Sequence, residues 1–133
     1  MKLITRDTAY AVSSLCYIFE HKERIVSVSE LVRELGIPRP FLRKILQILD
    51  KKKILKSHKG QGGGFEPLKS PNKILLLDLI KIFQGPLRLN ECLFKKAPCP
   101  YIKRCRLKKK MDKIQNYVIS QLSNVTLTSL LKK

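Results

Sequence analysis

The chain has 133 residues, which suits one compact domain with an appended helix, and 44% of them are hydrophobic, which excludes a wholly disordered protein. Its net charge is +18, from 28 Lys and Arg against 10 Asp and Glu, so the expected partner is nucleic acid before an acidic membrane or protein. Two histidines and few acids offer no nucleophile–base pair, which argues against an enzyme.

The N-terminal stretch indicates neither a leader peptide nor a membrane span. The apolar residues 9–19 follow Arg6 and Asp7, precede the charged run EHKER and lack a small-residue cleavage site. No apolar run approaches the ~18 residues that a membrane span requires. We therefore expect a cytoplasmic protein with no membrane partner, in a compartment where clustered thiols bind metal more often than they pair.

The first predicted helix covers residues 6–20. Thr5 is the expected N-cap, and Asp7 lies in the first turn near the positive end of the helix. Apolar residues recur at three- and four-residue steps and form one face, which places the Cys16 thiol in the core. That face consists of Ala9, Val12, Leu15, Cys16 and Phe19.

A helix-turn-helix follows in residues 29–50. Ser29 is expected to cap a short helix over residues 30–35, Gly36 supplies the turn, and Pro38 or Pro40 starts a second helix. The predicted inward residues of this second helix are Phe41, Leu42, Ile45, Leu46 and Leu49, and the outward residues are Arg39, Arg43, Lys44 and Gln47. A cationic exposed face is typical of a recognition helix in the major groove.

A glycine cluster between two short apolar runs predicts a β-hairpin after this helix. The hairpin carries His58 and Lys59 and has the form of a DNA-binding wing. No Gly-Lys-Ser/Thr follows the glycines, which argues against a nucleotide-binding loop. The wing residues expected at DNA are His58, Lys59, Gly60, Gly62 and Gly63, with Gly64 completing the cluster.

The C-terminal half divides into a helix over residues 72–84 that stops at Gly85, a loop, and a second long helix over residues 106–122. The apolar stripe of that long helix (Leu107, Met111, Ile114, Val118 and Leu122) cannot be buried by a lone helix. A two-fold related helix is the expected cover, with packing against the chain's own domain as the alternative. The expected domains are a DNA-binding domain (1–84), a cysteine-bearing loop (85–105) and a dimerisation helix with a C-terminal helix (106–133).

Three of the four cysteines, Cys92, Cys99 and Cys105, lie in that loop. Thiolates are the soft ligands that iron–sulphur clusters need, and three of them leave one exchangeable position. Eight Lys or Arg and no acid lie between Cys92 and Lys110, and such cations lower thiol pKa values and offset cluster charge. Zinc and a thiol switch stay open as alternatives, although neither histidine lies near these cysteines in the sequence.

The order of these parts resembles the Rrf-two family of winged-helix transcriptional regulators, and within it the cluster-binding IscR and NsrR types. The similar pieces are MKLITRDTAYAV at the start, the wing SHKGQGGGF, the cysteine triplet and the ending LSNVTLTSLL. The resemblance implies a mainly α fold with a small β-hairpin wing and a long C-terminal dimerisation helix. It further implies a homodimer on a double-stranded DNA operator, and a 4Fe-4S or 2Fe-2S cluster held by Cys92, Cys99 and Cys105.

The chain departs from these types at the fourth cluster ligand. IscR-type members have a histidine three residues after the last cysteine, and Lys108 occupies that position here. NsrR-type members use an aspartate in the first helix of the partner subunit, and the matching position here is Ala9. Asp7 of the partner subunit or a small molecule is left to complete the site. The expected function is a regulator, with repression as the expected direction, that senses redox state, nitric oxide or iron–sulphur status. The alternative is a family regulator controlled by a thiol switch, zinc, a metabolite or a partner protein.

Overall fold

A computed structural model describes residues 2–89, 100 and 103–131. Within these residues the fold is mainly helical with one two-stranded antiparallel hairpin, which confirms the predicted fold class. Cys92 and Cys99 lie outside the described residues. The elements in chain order are α1 (Arg6–Glu20), α2 (Val28–Leu35), α3 (Arg39–Lys51), β1 (Leu55–His58), β2 (Gly64–Pro67), a 3-10 turn (Pro71–Lys73), α4 (Leu76–Gln84), α5 (Arg106–Leu122) and α6 (Leu127–Leu130).

Helix α1 has the predicted bounds, and Thr5 caps it by accepting a hydrogen bond from the Thr8 backbone N–H. Its buried face is turned relative to the prediction. Ala9 is exposed and Cys16 is only half-buried, whereas the fully buried polar residues Thr8 and Ser14 lie in the packed face. Their hydroxyls make hydrogen bonds, which a buried polar group requires. The apolar buried residues of α1 are Ala11, Leu15, Ile18 and Phe19.

Helices α2 and α3 form the helix-turn-helix, with two corrections to the prediction. The N-cap of α2 is Ser27 rather than Ser29, because the Ser27 hydroxyl accepts from the Glu30 backbone N–H at 3.1 Å. Gly36 ends α2 in the left-handed conformation, at φ +69°. Phe41 of α3 is 41% exposed instead of buried, since it lies about 100° around the helix from Leu42. The predicted core residues Leu42, Ile45, Leu46 and Leu49 are buried.

The hairpin packs through backbone contacts against the helices of the DNA-binding domain (α1 to α4), here called the head. Ser57 pairs with Phe65 in the β1–β2 register, and Phe65 also forms a bridge with Val26 from the loop before α2. Phe65 N–H donates to the Val26 carbonyl at 2.8 Å. A Cβ built on Gly64 would lie 2.2 Å from that carbonyl oxygen, and Gly64 has φ +154°. Only glycine allows this close approach, so Gly64 fixes the wing to the head.

Helix α4 is shorter than the predicted helix over 72–84. The chain turns once at Pro71–Lys73 and is extended through Leu75, where it forms a bridge with Thr126. Leu127 N–H donates to the Ile74 carbonyl at 2.8 Å, and this hydrogen bond keeps the backbone at Ile74 extended rather than helical. Leu127 is 1% exposed, so the C-terminal segment belongs to the core of the head. Gly85 ends α4 as predicted.

Helix α5 has the predicted bounds and contains no buried residue. Leu107, Ile114 and Tyr117 are 70%, 51% and 66% exposed, and their spacing of seven and three residues puts them along one side of the helix. Gln115, on another side of the helix, accepts a hydrogen bond from the Leu89 backbone N–H at 2.8 Å. The helix thus touches its own head on one side and leaves an apolar side uncovered by any residue that the structure describes.

Candidate nucleic-acid interface

Helix α3 and the wing face one another across a concavity with a volume of about 500 Å³, here called the α3–wing concavity. The recognition-helix residues Arg39, Arg43 and Gln47 form one side of it, and all three are exposed. The wing contributes the other side. The lining consists of Ser27, Val28, Ser29, Arg39, Arg43, Gln47, Asp50, Ser57, His58, Lys59, Gly60, Gly63, Gly64 and Phe65.

Two residues predicted at DNA lie outside this lining. Lys44 is exposed, but it lies on a neighbouring side of α3 with Ile48 and Lys51, a side that Gln47 and Asp50 also border. Gly62 lies in the hairpin loop at φ +77°, and a Cβ added there would meet no atom within 4 Å. The structure therefore brings together seven of the nine predicted DNA-contacting residues: Arg39, Arg43, Gln47, His58, Lys59, Gly60 and Gly63.

The side chain of Arg39 is tied to the helix before it. Its Nη2 donates to the Ser29 hydroxyl at 3.1 Å, so the first residue of α3 is linked to the first turn of α2. Ser27 and Ser29 both line the concavity, although neither was predicted to do so. The Ser-x-x-Glu spacing from Ser27 to Glu30 is the pattern of a helix start and was the signal available for Ser27.

Asp50 is the only acid among the described residues of the lining, and it joins α3 to the wing. Its Oδ1 accepts a hydrogen bond from the Ser57 backbone N–H at 3.2 Å. This bond sets the first wing strand against the last turn of the recognition helix. No linear signal pointed to Asp50, because its partner is defined only when the chain folds back.

The two wing cations differ in their surroundings. His58 Nε2 is shielded from solvent and lies 3.0 Å from Glu66 Oε1 on the paired strand, without the angles of a hydrogen bond. The side chain of Lys59 is exposed at the mouth of the concavity. Of these two residues, Lys59 carries a permanent charge, whereas His58 adds charge only when its ring is protonated.

A network of side chains holds α2 against α1. Arg24 donates to both Glu30 carboxylate oxygens, at 2.7 and 2.6 Å, and the Tyr17 hydroxyl donates to the same carboxylate. The hydrogen bonds from Arg24 and then from Tyr17 lower the pKa of Glu30 from 4.5 to about 2. The same bond to Glu30 raises the pKa of Tyr17. This network places the first turn of α2, and with it Ser29, next to the recognition helix.

Of the candidate cluster ligands, only Cys105 and Asp7 fall in the described part of the chain. Cys105 is half-buried and is the N-cap of α5, where its Sγ accepts from the Lys108 backbone N–H at 3.4 Å. Asp7 lies in the first turn of α1 and is half-buried. The Lys108 ammonium pairs with Asp112 at 2.6 Å. No group of three or more His, Cys, Asp or Glu comes together among the described residues.

The fourth cysteine, Cys16, lies on α1. Its Sγ lies 3.9 Å from the Leu130 carbonyl oxygen, and burial followed by the nearby Glu20 charge raises the pKa of its thiol. A raised pKa favours the neutral thiol, which is a poor metal ligand. In the described ranges, no helix is long and apolar enough to cross a bilayer.

A helix-turn-helix whose second helix shares one cationic concavity with a β-hairpin defines a winged-helix regulator of transcription that binds DNA. The chain belongs to the Rrf2 family, because the family model described as "Iron-dependent Transcriptional regulator" matches residues 4–133. This result confirms the resemblance drawn from the wing, the cysteine triplet and the chain ends.

Similar proteins agree with this assignment. The chain is 37% identical over 98 residues to an HTH-type transcriptional regulator of Aquifex aeolicus, and the match covers 73% of this chain and 68% of the relative. The fold resembles T. potens IscR, with a TM-score of 0.75, 21% identity, and coverage of 98% and 85% of the two chains. It resembles CymR of B. subtilis, the global cysteine regulator, with a TM-score of 0.76, 21% identity, and coverage of 98% and 96%. These proteins are regulators rather than enzymes, as predicted.

Proposed function

We propose that the protein is a homodimeric regulator, acting as a repressor, whose affinity for a double-stranded DNA operator depends on an iron–sulphur cluster held by Cys92, Cys99 and Cys105. The observation that carries the proposal is the three-cysteine segment placed directly before α5, with the last thiol capping that helix. The family description as iron-dependent supports the same reading. The proposed location is the cytoplasm, where a bacterial regulator of this family would meet its DNA.

The α3–wing concavity is the proposed DNA surface. Arg39, Arg43, Lys44 and Gln47 on α3 would enter the major groove or bind its phosphates, and the wing would reach the adjacent backbone with His58, Lys59, Gly60, Gly62 and Gly63. The net charge of +18 implies many phosphate contacts and a steep fall of affinity with salt.

The dimer would form through α5. Leu107, Ile114 and Tyr117 are large apolar side chains exposed on one side of a 17-residue helix, and a second copy of that helix would bury them. Two heads joined in this way would match operator half-sites about 34 Å apart. The proposed division of the chain is therefore a DNA-binding domain over 1–84, a cysteine segment over 85–105 and a dimerisation segment over 106–133.

The donor set fits a cluster better than it fits zinc. Three thiolates would hold a 4Fe-4S or 2Fe-2S cluster, whereas a structural zinc site needs four protein ligands. Among the described residues, Lys108 is paired with Asp112 and Ala9 carries no donor, so neither position supplies the fourth ligand. Asp7 of the partner subunit or a small molecule would complete the coordination.

Cys105 provides the link between the cluster and DNA affinity. Its sulphur is bonded to the first turn of α5, so a change of state at this sulphur acts directly on the start of the dimerisation helix. When bound, the cluster would supply a centre that oxidants or nitric oxide can modify and that iron shortage can remove. A coupling of about 1–3 kcal/mol would change operator affinity several-fold to more than a hundredfold.

Anaerobic purification followed by a visible spectrum and by iron, sulphide and zinc analysis tests the cluster. We expect broad absorption near ~400 nm with matched iron and sulphide. The absorption is lost in Cys92→Ser, Cys99→Ser and Cys105→Ser proteins and retained in the Cys16→Ser control. A gel-shift titration of holo- and apoprotein on one operator then tests the coupling. Equal affinities would refute the coupling, and a colourless protein would leave a DNA-binding regulator controlled by zinc, a thiol switch, a metabolite or a partner protein.

A further inference from the structure

We propose that Arg43 and Gln47 are the pair that reads base edges, with Arg43 contacting a guanine and Gln47 an adenine, and that Arg39 and Lys44 bind phosphates. This inference rests on the proposed binding of DNA by α3. It goes further by naming the sequence that this surface selects.

Arg43 and Gln47 are free to reach a ligand. They lie four residues apart on α3, which puts them on one side of the helix, and both are exposed in the α3–wing concavity. Neither side chain has a hydrogen-bond or ion-pair partner among the residues that the structure describes. A recognition helix that keeps two polar side chains unpaired toward its groove presents them to the ligand rather than to its own fold.

The other two residues of α3 that are predicted to contact DNA, Arg39 and Lys44, are placed differently. Arg39 already donates to the Ser29 hydroxyl at 3.1 Å, at the edge where α2 meets α3. Lys44 does not line the concavity. It lies on a neighbouring side of the helix with Ile48 and Lys51, and Gln47 and Asp50 border both sides. An ammonium group is a compact point charge that suits a phosphate and lacks the fork needed for two-point recognition of a base.

Asp50 provides an electrostatic reason why bases, rather than phosphates, would face Arg43 and Gln47. Its carboxylate lies in the concavity one turn beyond Gln47, where the Ser57 backbone N–H holds it. A negative group at this position repels phosphates, so the DNA backbone must run along the cationic edges. The base edges, which carry no net charge, then face Arg43 and Gln47.

The chemistry of the two side chains selects the bases. The guanidinium of Arg donates two parallel hydrogen bonds to O6 and N7 of guanine, and the amide of Gln pairs with N6 and N7 of adenine. Four residues of helix rise about 6 Å, and base pairs are spaced by about 3.4 Å. The guanine and adenine are therefore expected within about two base-pair steps of each other in each operator half-site.

Selection of binding sites from a randomised duplex pool tests the assignment, with full-length wild-type protein and the Arg43→Ala, Gln47→Ala and Lys44→Ala variants. We expect Gln47→Ala to lose about five- to one-hundredfold discrimination at the adenine while it keeps the guanine. Arg43→Ala should lose discrimination at the guanine and keep it at the adenine. Gln47→Glu should shift the preference at the adenine position to cytosine. Lys44→Ala is the matched control, which keeps every base preference and lowers the salt slope by about one.

The outcomes separate this inference from the proposed function. If the wild-type protein enriches no sequence, selective DNA binding fails and the inference fails with it. If a motif is enriched and Gln47→Ala and Arg43→Ala leave every preference unchanged, the base assignment alone is refuted. A changed base preference in Lys44→Ala would also overturn it. Thermal melting of each variant confirms that these exposed substitutions leave the fold intact.

Discussion

Gln84, the last residue of α4, joins the N-terminal segment to the head by three hydrogen bonds. Its Oε1 accepts from the Thr5 backbone N–H at 3.0 Å and from the Thr8 hydroxyl at 2.7 Å. Its Nε2 donates to the Leu3 carbonyl at 3.0 Å. Replacement by alanine removes all three bonds at the point where the chain leaves the head for the cysteine segment.

The cost of Gln84→Ala follows from the burial of each partner. Thr8 is fully buried, so its hydroxyl cannot turn to water, and the Thr5 N–H is partly buried. The bond to Leu3 is exposed and contributes little to stability. At about 1 kcal/mol for each of the two shielded bonds, we expect the free energy of unfolding to fall by about 2 kcal/mol.

Urea unfolding followed by circular dichroism at one fixed protein concentration measures this loss. Gln84→Glu retains an acceptor for Thr5 and Thr8 and should lose less than Gln84→Ala. Gln47→Ala is the same substitution at an exposed residue whose side chain has no partner in the described part of the chain, and it should change stability by less than about 0.5 kcal/mol. If Gln84→Ala is no more destabilising than Gln47→Ala, these hydrogen bonds do not hold the N-terminal segment.

Three further predictions concern the helix-turn-helix, the wing and α5. The pKa of Glu30 falls from 4.5 to about 2 on folding, so its carboxylate stabilises the fold above pH 4.5 and this contribution disappears as the pH approaches 2. The difference in urea midpoint between wild type and Glu30→Gln should therefore be largest near pH 7 and should shrink steadily as the pH is lowered from 4.5 through 2. Gly64→Ala should destabilise the fold by more than about 2 kcal/mol, because the added Cβ would lie 2.2 Å from the Val26 carbonyl oxygen. Gly62→Ala is strained only by its φ of +77° and should cost about 1 kcal/mol in the same assay. Ile114→Asp should shift the protein toward monomer in sedimentation velocity, and an unchanged sedimentation coefficient would exclude this side of α5 from the dimer.

Where a local pattern controls the structure, the sequence alone is sufficient. Thr5 caps α1 and Gly36 ends α2, and the bounds of α1 and α5 agree with the prediction because caps and helical periodicity act within one or two turns. The glycine cluster likewise predicts the hairpin. The polar residues Arg39, Arg43, Lys44 and Gln47 of α3 are exposed because the core residues of the same helix occupy the opposite face.

Three features were decided only by contacts between distant parts of the chain. Helix α4 begins at Leu76 because the C-terminal segment binds the chain just before it: Leu127 N–H donates to the Ile74 carbonyl, and the Val125 carbonyl accepts from Leu76 N–H. Phe41 lies at the surface under the Arg6 guanidinium, which is 4.8 Å from its ring centre. Asp50 enters the α3–wing concavity because Ser57 folds back onto it.

The sequence by itself thus determined which segments form helices, which residues bear positive charge and which cysteines cluster, since these properties depend on neighbours along the chain. Tertiary structure decided which cations share the concavity, and it separated Lys44 from Arg43 although the two are adjacent in sequence. The physical reason is that hydrogen bonds and packing between distant segments outweigh weak local preferences wherever the two compete.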